Sequence, residues 1–250
     1  MGDVRAVLFD IDDTLLDYSA AERGGITDYL TELGVAAERR AAGADFWHEA
    51  QERHFGRFLA GEVDFTAQQH ARAAEMIDWL GLPPLTRSTE LAEWFSGYRR
   101  HHDTALRPFD DVIACLAALP ADVALGVISN NDEGAARAKL TRVDLLTRFR
   151  CVVCVDTAGC AKPEPGIFRH ACRLLEVEPA DAVYVGDRLD SDAMAAAAAG
   201  LRGVWLDRTA GPGDREVPAG VVRITGLSGL SEALGLAAFS PATPVTGDLI

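Results

Sequence analysis

The chain has 250 residues, 48% of them hydrophobic and 25% charged, an ordinary globular profile with enough length for one or two domains. Lys+Arg 24 against Asp+Glu 38 gives a net charge of −14, which offers no electrostatic footprint for nucleic acid or an anionic membrane surface. The cations are themselves skewed, since 22 are arginine and only Lys139 and Lys162 are lysine.

The N-terminus passes from the apolar run Val4–Phe9 to acid at Asp10, without the long apolar core of a secretion signal, and no run reaches the ~18 apolar residues of a membrane span. The chain is therefore expected in the cytoplasm. Val4–Phe9 is the first of five short apolar runs that read as strands buried on both faces; the others are Val123–Ile128, Cys151–Val155, Ala182–Val185 and Gly203–Leu206. Helical patterns at Glu133–Leu145, Gly166–Leu175 and Asp192–Ala199 separate the later runs, which implies an α/β fold with a parallel, Rossmann-like sheet.

Between the first two strands the alternation stops. Helical segments are predicted at Ala20–Leu33, Ala36–Leu59, Thr66–Leu80 and Ser88–His102, with Gly61, Gly81–Pro84 and Arg107-Pro108 as punctuation. An all-helical insert of this size is too large for a crossover and predicts a second, smaller domain. The expected division is residues 1–16 and 107–236 for the core, 17–106 for the insert and 237–250 for a loosely held tail.

The five cysteines are odd in number and irregularly spaced, as expected of reduced thiols. Cys151 and Cys154 form a C-x-x-C, but on a strand i and i+3 point to opposite faces, so both are expected in the core.

In an open parallel sheet, ligands bind beyond the carboxyl ends of the strands. Here those positions carry Asp10-Ile11-Asp12-Asp13-Thr14, Ser129-Asn130-Asn131-Asp132, Lys162-Pro163, and Gly186-Asp187 with Asp190 and, five residues on, Asp192. Carboxylates brought together repel one another, and a hard divalent cation with oxygen ligands, most simply Mg²⁺, relieves that repulsion. One carboxylate can then act as a nucleophile and a second can carry a proton, with Ser129, Asn130 and the Lys162 ammonium on the phosphate oxygens. The set suits phosphoryl transfer.

In order, spacing and strand context, the four clusters resemble the four motifs of the haloacid dehalogenase-like (HAD) hydrolase superfamily, and the helical insert resembles that family's C1-type cap. The resemblance implies that Asp10 attacks phosphorus and ligates Mg²⁺, and that Asp12 protonates the leaving alcohol and then activates water, its carbonyl ligating the metal. It implies that Ser129 and Asn130 hold the phosphoryl group, that Lys162 neutralises it, and that Asp187 and Asp192 complete the metal site. The segment holding Asp17, Ala20, Ala21, Arg23 and Gly24 is loosely similar to capped phosphatases acting on N-acylneuraminate 9-phosphate and nucleoside 5′-monophosphates.

Other polar residues have structural readings. Asp13 is expected as a loop carboxylate, Asp190 as a helix-start acid, Thr14 as a turn residue and Lys139 as a solvated charge on a helix face. Tyr18, Arg23, Arg57 and Arg99 are candidates for the mouth of the insert. The expected function is a Mg²⁺-dependent phosphomonoesterase acting on a small phosphorylated metabolite, a sugar phosphate or nucleotide, through an aspartyl-phosphate. The alternatives are a phosphomutase with the same motifs, a non-catalytic phospholigand-binding protein, and a 2-haloacid dehalogenase, which the second aspartate of motif one disfavours. A homodimer is an open alternative to the monomer.

Overall fold

Runs of valine, leucine, isoleucine and alanine form a sheet of six parallel strands: β1 (Ala6–Phe9), β2 (Ala124–Ile128), β3 (Cys151–Val153), β4 (Ala182–Gly186), β5 (Arg202–Leu206) and β6 (Val221–Ile224). The computed structural model describes residues 4–209 and 217–235. The predicted tail at 237–250 lies outside the described residues.

The strand order is β3-β2-β1-β4-β5-β6. The chain leaves β1 toward one edge and later returns to its other side, so a crevice opens at the carboxyl ends of β1, β2 and β4. Side chains alternate across the sheet. Val7, Phe9, Val127, Val183 and Val185 enter one apolar cluster, and Ala6, Leu8, Ile128, Ala182 and Tyr184 enter the other. Cys154 belongs to the first cluster and Cys151 to the second, and all five thiols are free.

Four helices connect β1 to β2 before a short fifth: α1 (Tyr18–Glu32), α2 (Ala37–Leu59), α3 (Phe65–Trp79), α4 (Ser88–Ala105) and α5 (Val112–Ala118). Asp17 caps α1 by accepting from the Ala20 amide, and Asp64 caps α3 through the Ala67 amide. Ile26, Leu30, Trp47, Met76, Ile77, Trp94 and Phe95 of α1–α4 form an apolar cluster of their own. After β2 come α6 (Glu133–Arg142), α7 (Val155–Ala158), α8 (Pro165–Leu175), α9 (Ala195–Ala199) and α10 (Leu230–Ala233).

Two predicted ranges are corrected. The third strand stops at Val153, because Cys154 already caps α7. The helix predicted over Asp192–Ala199 begins as a π-helical turn, Leu189–Met194, so that α9 itself spans only Ala195–Ala199. Among the described residues, no helix is long and apolar enough to cross a membrane.

Candidate active site

Asp10 directly follows β1, Ser129 follows β2 and Asp187 follows β4, so strand ends deliver the first three groups. Asp10 and Ser129 are buried, as are Lys162 and Asp192, which reach the crevice from loop and π-turn. Lys162 Nζ lies 2.6 Å from Asp10 Oδ1, 2.7 Å from Asp192 Oδ1 and 2.8 Å from the Tyr184 hydroxyl. Asp192 Oδ2 accepts from the Arg188 amide at 2.9 Å, so both of its oxygens already have partners. A side chain on Gly186 would strike Asp192, so a glycine there lets the π-turn close over β4.

The electrostatics are those of acids crowded together. Burial raises Asp10 well above the usual carboxylate range; Lys162 pulls it down, and Asp192, Asp187 and Asp12 push it up. Asp187 is raised to about 7, first by burial and then by Asp192 and Asp13. Burial disfavours charge on Lys162, yet Asp10 and Asp192 outweigh it and hold the ammonium above its ordinary value.

Carboxylate oxygens of Asp10, Asp187 and Asp192 lie within 4.8 Å of one another. That all-oxygen donor set, with its repulsion only partly relieved by one lysine, fits a hard divalent cation.

Asp12 is fixed separately. Its carboxylate receives Lys139 Nζ at 2.7 and 2.8 Å and Asn131 Nδ2 at 2.8 Å. The expectation of a solvated Lys139 is therefore corrected. Asp132 caps α6 immediately after β2, and the helix turns the face carrying Ala136 and Leu140 inward. Lys139 adjoins that face, and its flexible stem reaches the crevice with only 13% of the side chain exposed. Asn130 pairs through its amide with the Lys162 backbone in both directions, at 2.7 and 3.0 Å, bracketing that loop.

Asp13 accepts from the backbone and hydroxyl of Ser19 in a left-handed turn, matching its expected loop role. Asp190 is exposed on the π-turn.

A cavity of about 830 Å³ lies between the sheet ends and α1–α4. Tyr18 and Arg99 line it, whereas Arg23 pairs with Asp45 and Arg57 with Glu62, and neither reaches it. Arg72, Glu22 and Lys139 also line it and were not foreseen as site residues, while Asn131 lines it from the polar cluster expected after β2.

Residues 4–200 match the haloacid dehalogenase-like hydrolase family, and the chain belongs to it. It is 31% identical to a glyceraldehyde 3-phosphate phosphatase of Methanopyrus kandleri and 29% identical to the mouse N-acylneuraminate-9-phosphatase, each time over 82% of this chain and 84% of the relative. Its fold matches the magnesium-bound putative HAD-hydrolase YfnB of Bacillus subtilis, with a TM-score of 0.75, 19% identity, and 94% and 100% of the two chains covered.

Proposed function

We propose that the protein is a Mg²⁺-dependent phosphomonoesterase that releases phosphate from a small sugar phosphate or nucleotide. The observation that carries this reading is the buried contact of Lys162 with Asp10 beside Asp187 and Asp192, one cation among three carboxylates where a phosphate would enter. The named relatives supply the reaction class, since each is a phosphatase of a small phosphorylated metabolite.

Asp10 is the nucleophile. It attacks phosphorus in line with the ester oxygen, the P–O bond to the alcohol breaks, and an aspartyl-phosphate forms. Asp12 gives the departing alkoxide its proton, then takes one from the water that hydrolyses the aspartyl-phosphate, restoring Asp10 and releasing inorganic phosphate. Ser129, the Asn130 backbone and Lys162 hold the phosphoryl oxygens. Asp10 and Asp187 would ligate Mg²⁺ with the Asp12 carbonyl, and the ion would supply charge neutralisation at the phosphate. Asp192 would complete that set, and its Oδ1 also aims Lys162.

The helical insert, 17–106, acts as the cap that closes the cavity over the substrate. The test is release of inorganic phosphate from an aryl phosphate with Mg²⁺. Turnover is expected from the wild type, with a loss of at least a thousandfold in Asp10→Asn. Full activity in that variant would overturn the reading.

A further inference from the structure

The cavity extends well past the groups that would hold a phosphoryl moiety, and its volume is in the upper part of the roughly 300–1,000 Å³ range of pockets that enclose drug-sized ligands. Its far wall carries Glu22 of α1 with Gln68 and Arg72 of α3, all buried. Arg72 Nη2 meets Glu22 Oε1 at 3.5 Å with both side chains 5% exposed, long beside the ~2.7–2.9 Å of a good charge-assisted hydrogen bond. Arg72 Nε and Gln68 Oε1 are enclosed without any hydrogen-bond partner among the described residues. The guanidinium is held in place by aromatic rings, 4.3 Å from the centroid of Trp47 and 5.6 Å from that of Phe95.

A buried ion pair with slack geometry and unpaired neighbours opposes folding. Such groups call for a partner, and the adjoining cavity is where one would sit. We propose, on the footing of the phosphatase reading, that Glu22, Gln68 and Arg72 form the subsite for the leaving group, and that it takes an uncharged polyhydroxylated chain, the alcohol half of a sugar or polyol phosphate. The pair sets the chemistry. Glu22 is shared between Arg72 at 3.5 Å and His48 Nδ1 at 3.0 Å, so a leaving group with its own charge would have to displace one of these pairings. A hydroxyl both donates and accepts, so it can give its hydrogen to Glu22 or Gln68 Oε1 and accept from Arg72. Phe95, beside Arg72 on the lining, offers an apolar surface to C–H groups.

The test compares kcat/KM for sorbitol 6-phosphate and glucose 6-phosphate with that for 2-phosphoglycolate, adenosine 5′-monophosphate and phenyl phosphate. The wild type is expected to favour the first two over 2-phosphoglycolate and the nucleotide by at least tenfold. Gln68→Leu removes an oxygen that has no hydrogen-bond partner among the described residues. It should keep or raise Tm while lowering the ratio of polyol phosphate to phenyl phosphate kcat/KM at least tenfold, mainly through KM. Arg72→Gln should move the ratio the same way, and if it fails to fold, Gln68→Leu decides alone. A ratio unmoved by Gln68→Leu, or a wild type that prefers 2-phosphoglycolate or the nucleotide, overturns the subsite. Phenyl phosphate separates the two ideas: its turnover without discrimination sinks the subsite alone, and no turnover of any phosphate sinks both.

Discussion

The two lysines of an arginine-rich chain both end at the same crevice, one on each of the two motif-one carboxylates. Lys162 holds Asp10 and Asp192 together, and Lys139 grips both oxygens of Asp12. A compact ammonium on a flexible stem suits both places better than a planar guanidinium, which needs a wider opening. If Asp12 carries protons to and from the ester oxygen, Lys139 and Asn131 fix where its carboxylate points. General acid–base groups typically contribute 10²–10⁴-fold, so losing part of that alignment in Lys139→Ala should cost about 10–100-fold in kcat on an alkyl phosphate. The loss should be smaller on an aryl phosphate, whose leaving group needs less help from an acid, and Lys139→Arg should recover part of it. Steady-state kinetics on the two substrate types check this; equal losses on both would assign Lys139 a merely structural part.

At the scale of elements, α1 and α4 approach so closely that two glycines are required at their contact. A side chain on Gly25 would lie 2.6 Å from the His102 backbone, and one on Gly97 would lie 2.5 Å from the Tyr29 ring. A side chain on neighbouring Gly24 would meet nothing within 4 Å among the described residues. Gly25→Ala should therefore destabilise by about 1–3 kcal/mol through overpacking, whereas Gly24→Ala should stabilise by roughly 0.5–1 kcal/mol through helix propensity. Urea unfolding of the two variants tests the contrast, and equal midpoints would refute it. The same elements explain what was legible in the sequence. Strands β1 to β5 are continuous apolar runs and stood out, as did the long helices α1–α4. Strand β6 did not, because it is a half-exposed edge strand broken by Arg223, which pairs with Asp207 and lies over the Trp205 ring. Helix α5 is one short apolar stretch without a helical period. Asp10, Ser129 and Asp187 were legible because each follows a strand end directly, and Lys162 and Asp192 because their order and spacing after β3 and β4 complete the motif set. Lys139, Glu22 and Arg72 were not, because their place depends on how α6, α1 and α3 dock, and Glu22 and Arg72 meet across fifty positions of chain.

Over the whole molecule, acidity has a local focus that couples stability to pH and, on the proposed function, to a cation. Unfolded, Asp10 and Asp187 would titrate near 3.9; folded, Asp10 is raised well above that and Asp187 to about 7, in both cases chiefly by burial. Between about pH 4 and 7 these two groups thus bind more protons in the folded state than in the unfolded state, and their contribution to stability falls as pH rises through this window. A divalent cation taken up by the ionised carboxylates opposes that loss, since a ligand at a hundred times its Kd stabilises by about 2.7 kcal/mol. The chelated protein should accordingly lose Tm between pH 5 and 7.5. Mg²⁺ should restore it at pH 7.5 and do much less at pH 5, where protons compete for the same oxygens. Asp187→Asn should raise the chelated Tm at pH 7.5, because it removes one of the repelling charges, and should abolish most of the Mg²⁺ shift. Thermal unfolding at the two pH values, with chelator and with Mg²⁺, measures all four quantities. A Mg²⁺ shift that is absent at pH 7.5, or larger at pH 5, would mean that the buried acids of this crevice are balanced by Lys162 alone.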